Sequence, residues 1–377
     1  MVGIIPEQHP DRTQLFMQWK QMEWPVMVDS LNLLGVSAVP ITMFIDESGV
    51  IRAIRPRLED VEAFVEQKGE TPIETETLEI ARPDLTQLGK AAHQGTPEAL
   101  RSYGDAVALW EESSKLTQAI EAYQQVLEKE SDHGPTHFRL GVVYRKRYDS
   151  NTRQAADFKQ AVTHWAQALD IDPNQYIWRR RIQQYGPRLD KPYSFYDWVT
   201  TARSDIEARG ETPVSLVAEP GGAEFASPTK HFEQSKSLKK EPDAQGRILR
   251  DASGLISVET TVVPAVIQPG ASARVHVVFR PNPKMKAHWN NEVDDLVFFI
   301  QSPEGWKVDH NYLTVSNPPQ AVSQEARKVE FELKSPTDFT GPVTLPAYVL
   351  YYVCEDINGV CLYRRQDVPI TVQMKVK

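Results

Sequence analysis

Two cysteines, Cys354 and Cys361, carry the best-defined candidate chemistry in this 377-residue chain. They sit in Cys354-Glu355-Asp356-Ile357-Asn358-Gly359-Val360-Cys361-Leu362-Tyr363, and local geometry decides what they can do. If Asn358-Gly359 is a two-residue hairpin turn, Cys361 faces Asp356, Cys354 faces Tyr363, and the thiols are out of reach. If the loop is four residues, Asp356 to Gly359, then Glu355 pairs with Val360 and Cys354 lies opposite Cys361. Directly opposed residues stand roughly 4.5–5.5 Å apart at Cα, within reach of a disulfide. Closing so short a ring contributes about 2–3 kcal/mol by the chain-entropy relation. Such a pair has three uses: a redox-active disulfide, a structural disulfide in a binding domain, or part of a metal site. No histidine falls at usual ligand spacing, and two cysteines exclude a four-thiolate zinc site or a four-cysteine iron–sulfur cluster within one chain. His288 and Asp356 are the residues that could tune the thiols.

Other chemistries lack their motifs. No Gly-x-Ser-x-Gly and no Gly-x-x-x-x-Gly-Lys-Ser/Thr occurs, and Glu7-Gln8-His9 and Asp309-His310 are single acid–histidine neighbours. No cofactor is expected. Acidic residues number 51 against 42 basic ones, a net charge of −9, which gives no electrostatic footprint for nucleic acid. The longest apolar run, Ala347 to Cys354, is strand-sized and far short of the ~18 residues that span a bilayer. The opening Met1-Val2-Gly3-Ile4-Ile5-Pro6 has no basic region or long apolar core, so no signal peptide is read in this chain.

The elements around the cysteines are β-rich. Residues 255–377 contain strand candidates at Ile256–Val263, Ala273–Arg280, Leu296–Gln301, Lys328–Leu333, Val343–Val353 and Val368–Val376, separated by turns such as Gln268-Pro269-Gly270. That rhythm predicts an antiparallel, immunoglobulin-like sandwich. Residues 206–254 shift to Gly, Pro, Ser, Lys and Glu and read as a connection between domains. Residues 91–205 have helical periodicity, and residues 71–90, with Thr71-Pro72-Ile73-Glu74-Thr75, read as a linker. Residues 1–70 alternate apolar runs with helical patterns, as an α/β unit does: a strand at Val2–Ile5, a helix at Arg12–Met22, a short helix near Leu31–Leu34, two strands at Ile41–Ile45 and Val50–Ile54, and a helix at Leu58–Gln67. The whole is a multidomain α+β chain.

Three resemblances sharpen this outline. Val36-Ser37-Ala38-Val39-Pro40-Ile41-Thr42-Met43-Phe44-Ile45-Asp46, with Gly49-Val50-Ile51-Arg52 after it, resembles the second half of a thioredoxin fold of the TlpA-like, redoxin type. Pro40 matches that family's cis-proline. The family carries its Cys-x-x-Cys upstream of this stretch, so the resemblance implies a partial thioredoxin-like domain whose dithiol is missing from this chain. The expectation is an incomplete sheet, truncated at its start. Tyr103, Ala106, Trp110, Ala119 and Tyr123, echoed by His137, Leu140-Gly141, Tyr144, Ala161, Trp165, Ala168 and Pro173, resemble tetratricopeptide repeats. An insertion, Tyr148 to Phe158, separates the second pair of helices. Gln175–Tyr185 resembles a capping helix, expected to expose Arg179-Arg180-Arg181 beside Trp178 to solvent. The aromatic segment Pro192 to Val199 is expected to pack under this array.

The last third resembles the amino-terminal domain of the DsbD thiol-disulfide interchange proteins, an immunoglobulin-like sandwich with a cysteine pair near its end. Met285 to Asn291 falls where related domains carry a histidine-containing turn. The cysteines here have six residues between them, one more than expected of that family, and Tyr363-Arg364-Arg365 stands where it has Pro-Pro. The resemblance implies thiol–disulfide exchange between Cys354/Cys361 and a thioredoxin-type dithiol on a protein partner, in an extracytoplasmic, periplasmic compartment. A Cys361→Ser variant is then expected to trap the mixed disulfide. The chain alone is expected to show negligible insulin-reducing activity. The competing expectation is a non-catalytic interaction scaffold stapled by a structural disulfide, with the helical repeats binding protein.

Overall fold

A computed structural model describes residues 2–46, 49–66, 82–188, 198–217, 232, 239–339, 341–356 and 359–375. Most of the expected 71–90 linker, the aromatic residues 192–197, much of 206–254, and Ile357 and Asn358 of the cysteine loop lie outside the described residues. The architecture is mixed α+β, with short strands and helices first, helices next and mainly antiparallel sheets last.

The first region contains β1 (Gly3–Ile5), α1 (Pro10–Lys20), β2 (Val26–Val28), β3 (Met43–Ile45), β4 (Ile51–Ile54) and α2 (Asp60–Glu66). β1 and β2 pair in parallel, and β3 and β4 form the antiparallel hairpin that the Asp46–Gly49 turn demands. The two pairs are separate sheets among the described residues, where one incomplete sheet was expected. Residues 31–34 form turns and no helix, because Asn32 takes a positive φ of 53° and the Asp29 carboxylate accepts from the Leu33 and Leu34 amides. The Val39–Pro40 peptide is cis, as is Val263–Pro264.

Seven α-helices follow among the described residues: α3 (Leu85–Ala92), α4 (Pro97–Trp110), α5 (Leu116–Lys129), α6 (Gly134–Tyr148), α7 (Asp157–Ile171), α8 (Tyr176–Gln183) and α9 (Trp198–Ala208). Their starts are legible. Asp84 caps the amides of Thr86 and Gln87, and Thr96 caps Ala99 with Pro97 behind it. α4 folds back on α5, and α6 on α7. Ala119 and Ala161 are fully buried at these contacts. Gly141 lets Trp165 lie against α6, since a Cβ there would come within 2.5 Å of the indole Nε1.

Two assignments change. α8 does not present three arginines to solvent. Arg181 is 1 % exposed and donates to Gln8 Oε1 and to the Pro6 and Ser30 carbonyls, because the first region covers that face of the helix. α9 leaves the helical array and packs on α1, where Leu15, Val199, Ala202 and Ile206 form a small buried cluster.

The β-rich region contains β5 (Ile256–Val263), β6 (Val266–Ile267), β7 (Ser272–Pro281), β8 (Ala287–Asn290), β9 (Leu296–Ile300), β10 (Lys307–Val308), β11 (Tyr312–Val315), β12 (Val322–Ser323), β13 (Arg327–Lys334), β14 (Val343–Leu345), β15 (Ala347–Glu355), β16 (Val360–Asp367) and β17 (Ile370–Met374). A four-stranded sheet runs β10-β13-β7-β5, and a six-stranded sheet runs β11-β9-β15-β8-β12 with β16 added to β15. Both contribute to one apolar core through Val275, Val277 and Phe279 of β7, Trp289 of β8, Phe298 of β9 and Val349, Tyr351 and Val353 of β15. β7 is buried on both faces, because its second face meets the helices: His276 packs edge-on to Phe158 at 5.2 Å. β14-β17-β6 forms a third, smaller sheet.

Candidate functional site

β15 sets the site. Its period of two sends Val349, Tyr351 and Val353 into the core and Tyr348, Leu350, Tyr352 and Cys354 to the opposite face. The hairpin to β16 pairs Glu355 with Val360 and Cys354 with Cys361, the register of the four-residue loop, and the two sulfurs are bonded. On its other flank Cys354 is directly opposite His288 of β8. Cross-strand partners share a face. Cys361, Cys354 and His288 therefore form one row across three strands.

Exposure in that row is uneven. Cys354 is 6 % exposed, whereas Cys361 lies exposed on β16. His288 is largely buried, with its Nδ1 3.6 Å from the Asp356 Oδ1 at the open end of the hairpin. One register step back, Tyr352 and Tyr363 face each other and stack at 4.3 Å. Burial, helped by the neighbouring Tyr352 and by Asp294, pushes the Tyr363 phenol up to about 12, so it stays neutral beside the disulfide. Farther along the same face Arg365 lies 3.7 Å over the Tyr348 ring and donates to Asp243 at 2.9 Å. Residues near 243–251 thus cover that half: the Asp243 amide donates to the Tyr348 hydroxyl and Arg365 donates an amide to the Leu249 carbonyl. Behind the site, Tyr351 donates to Asp251 at 2.9 Å, and burial raises its phenol strongly.

Cys354, Cys361, His288 and Asp356 therefore converge. His288 sits in a strand and not in the expected histidine-containing turn, because the turn is taken earlier, at the 3₁₀ segment Pro283–Met285 with Lys286 at φ 49°. Pro40 belongs to the first region, before β3, and is not part of this constellation. The Tyr352–Tyr363 stack went unread in the sequence, although the four-residue-loop register alone pairs those two positions. No group of three potential metal ligands occurs among the described residues. Nor, among them, is any helix long and apolar enough to cross a membrane.

No protein-family profile and no curated protein matches this chain. Among solved structures, the GAE domain of yeast GGA1 is 11 % identical, covering 33 % of this chain and 96 % of its own, at a TM-score of 0.18. The bacterial hydrophobin BslA is 16 % identical over 33 % of this chain and 98 % of its own, at 0.18. The Pseudomonas fluorescens alkylpurine DNA glycosylase AlkC, bound to abasic-site DNA, is 10 % identical over 77 % of this chain and 74 % of its own, at 0.15. With TM-scores this low, these likenesses carry no argument about fold or function.

Proposed function

We propose that the β-rich region is a thiol–disulfide exchange domain of the DsbD amino-terminal kind, whose Cys354–Cys361 pair exchanges electrons with a thioredoxin-type dithiol on a partner protein. The observation that carries this reading is the asymmetry of the pair: one sulfur belongs to an exposed residue, the other to a buried one. Exchange needs a sulfur that an incoming thiolate can reach. The partner's thiolate attacks Cys361 Sγ, the Cys354–Cys361 bond breaks, and its electron pair leaves on Cys354. The partner's second thiol, having given its proton to solvent, attacks its own half of the mixed disulfide and releases Cys361. Two electrons pass from the partner to this chain, and the reverse sequence passes them back.

The same asymmetry revises the trapping design. A Cys361→Ser variant keeps only the buried thiol, so the accessible adduct forms at Cys361 and survives in Cys354→Ser. In this reading the helical region is a tetratricopeptide-like array that binds protein. The first region is a thioredoxin-like unit without its dithiol, and the compartment is extracytoplasmic, where disulfides persist. A scaffold with a structural disulfide is the second reading, favoured by the burial of Cys354.

A thioredoxin-type protein reduced to its single attacking cysteine separates the two. Incubated with the folded, oxidised chain, it should form a mixed disulfide that peptide mapping assigns to Cys361. An adduct at Cys354, or none without denaturant, would remove the exchange reading.

A further inference from the structure

We infer that His288 is the proton donor to the Cys354 leaving group, with Asp356 orienting its ring. The inference rests on the exchange reading above and extends it from the attacked sulfur to the departing one. Breaking the disulfide at exposed Cys361 places a new thiolate on Cys354, a residue 6 % exposed and cut off from the water that stabilises a free thiolate. The only partners across the sheet in register with Cys354 are Cys361 on one side and His288 on the other. Directly opposed side chains stand about 4.5–5.5 Å apart at Cβ, a span that an imidazole and a thiolate readily bridge. His288 Nδ1 faces Asp356 at 3.6 Å, which leaves Nε2 for the sulfur.

The step balances. As the partner's thiolate bonds to Cys361 Sγ and the electron pair of the old bond moves to Cys354 Sγ, the Nε2–H proton of the imidazolium passes to that sulfur. Neutral His288 then regains a proton from solvent. In the opposite direction neutral His288 takes the proton from Cys354 as it attacks the mixed disulfide. A leaving thiol that departs protonated departs faster than a buried anion.

Among the described residues the ionisable groups around the ring are few. The two sulfurs come from β15 and β16, Asp356 from the turn just after β15, and Lys286 precedes His288 on its own segment. The strand on its other side, β12, pairs through Val322 and Ser323, with Glu325 beyond it bound to Arg327. His288 is thus the one group in the row that can both hold and release a proton to Cys354.

The test is the rate at which dithiothreitol reduces the disulfide in the folded chain, in wild type, His288→Ala, His288→Gln and Asp356→Asn, each checked for fold by circular dichroism. The expected result is a loss of about tenfold or more in both His288 variants and a smaller loss in Asp356→Asn. With the rate corrected for reductant thiolate, wild type should slow as pH rises and one group loses its proton, and His288→Ala should not. Asp356 is 65 % exposed, so its variant keeps the fold even where a His288 variant loosens β8. Wild-type rates and pH dependence in the folded His288 variants would overturn the inference while leaving exchange intact. Resistance of the wild-type disulfide to dithiothreitol until unfolding would overturn both.

Discussion

At the scale of single residues, burial and register decide more than residue type. Cys354 and Cys361 are chemically alike and share one face, yet the central strand buries the first and β16 leaves the second exposed, the difference on which the proposed exchange rests. The sequence carried this far: counting back from Asn358-Gly359 gives two registers, and only the four-residue loop lets the sulfurs meet. It named His288 as a tuning residue but expected it in a turn and could not set it on a strand opposite Cys354, because four residues of strand after a 3₁₀ turn leave almost no periodic signal. Nor could it carry Arg181, whose place in a run of arginines reads as solvent-facing until Gln8 and the Pro6 carbonyl are seen against it. Glycine at 141 gives a sharp residue-scale expectation. Gly141→Ala puts a methyl against Trp165 and the Ala161 carbonyl, and should lower stability by about 1–3 kcal/mol in urea titration. Trp165→Ala should cost about 3–5 kcal/mol, since that side chain is fully buried.

At the scale of elements, the long strands and helices were legible and the short or borrowed contacts were not. β5 spans Ile256–Val263 as its Val-Thr-rich pattern predicts, and α4 through α8 fall within the stretch whose helical periodicity is read from the sequence. The partnership of α1 with α9 left no trace in local pattern, because nearly two hundred residues separate them in the chain. It is held by Leu15 against Val199, Ala202 and Ile206, and by the Trp19 indole N–H donating to Asp205 at 2.7 Å. Ile206→Ala should therefore destabilise this pair by about 2–4 kcal/mol. Hydrogen exchange should speed up in both α1 and α9 and leave β15 and β16 unchanged; a change confined to α9 would contradict the pairing.

At the scale of the whole molecule, Tyr185 joins three regions. Its hydroxyl pairs with His9 Nε2 at 2.8 Å, its carbonyl accepts from His276 Nε2 at 2.8 Å, and its ring stacks on Trp165. Burial, followed by nearby Arg145 and Arg12, holds the His9 pKa well below the ordinary 6.5, so the folded chain keeps this ring neutral. The unfolded chain takes up the proton as pH falls below about 6.5, and stability falls with it. Burial alone would raise the Glu330 carboxyl, but His276 and Arg274 overcome it and hold the group at about 2 against an ordinary 4.5. Its contribution is present above about pH 4.5 and is lost as pH falls toward 2. The unfolding free energy from urea titration should thus fall between pH 7 and 5 by at most about 1.4 kcal/mol per pH unit through His9, with the Glu330 loss following only below about pH 4.5. His9→Gln should flatten that fall; an unchanged slope would show that the junction does not bear the pH dependence. None of this joint was legible in the sequence, where Glu7-Gln8-His9 reads as an ordinary acid–histidine neighbourhood.

The central claim is that the Cys354–Cys361 bond is made and broken without unfolding. Equilibrating the native chain in dithiothreitol buffers of graded potential, then counting free thiols by native alkylation and mass spectrometry, tests it directly. The account predicts reversible, two-electron reduction above about −300 mV, nearer thioredoxin-like potentials, with the circular dichroism unchanged. A bond that stays oxidised below that potential and yields only as the domain unfolds would contradict it.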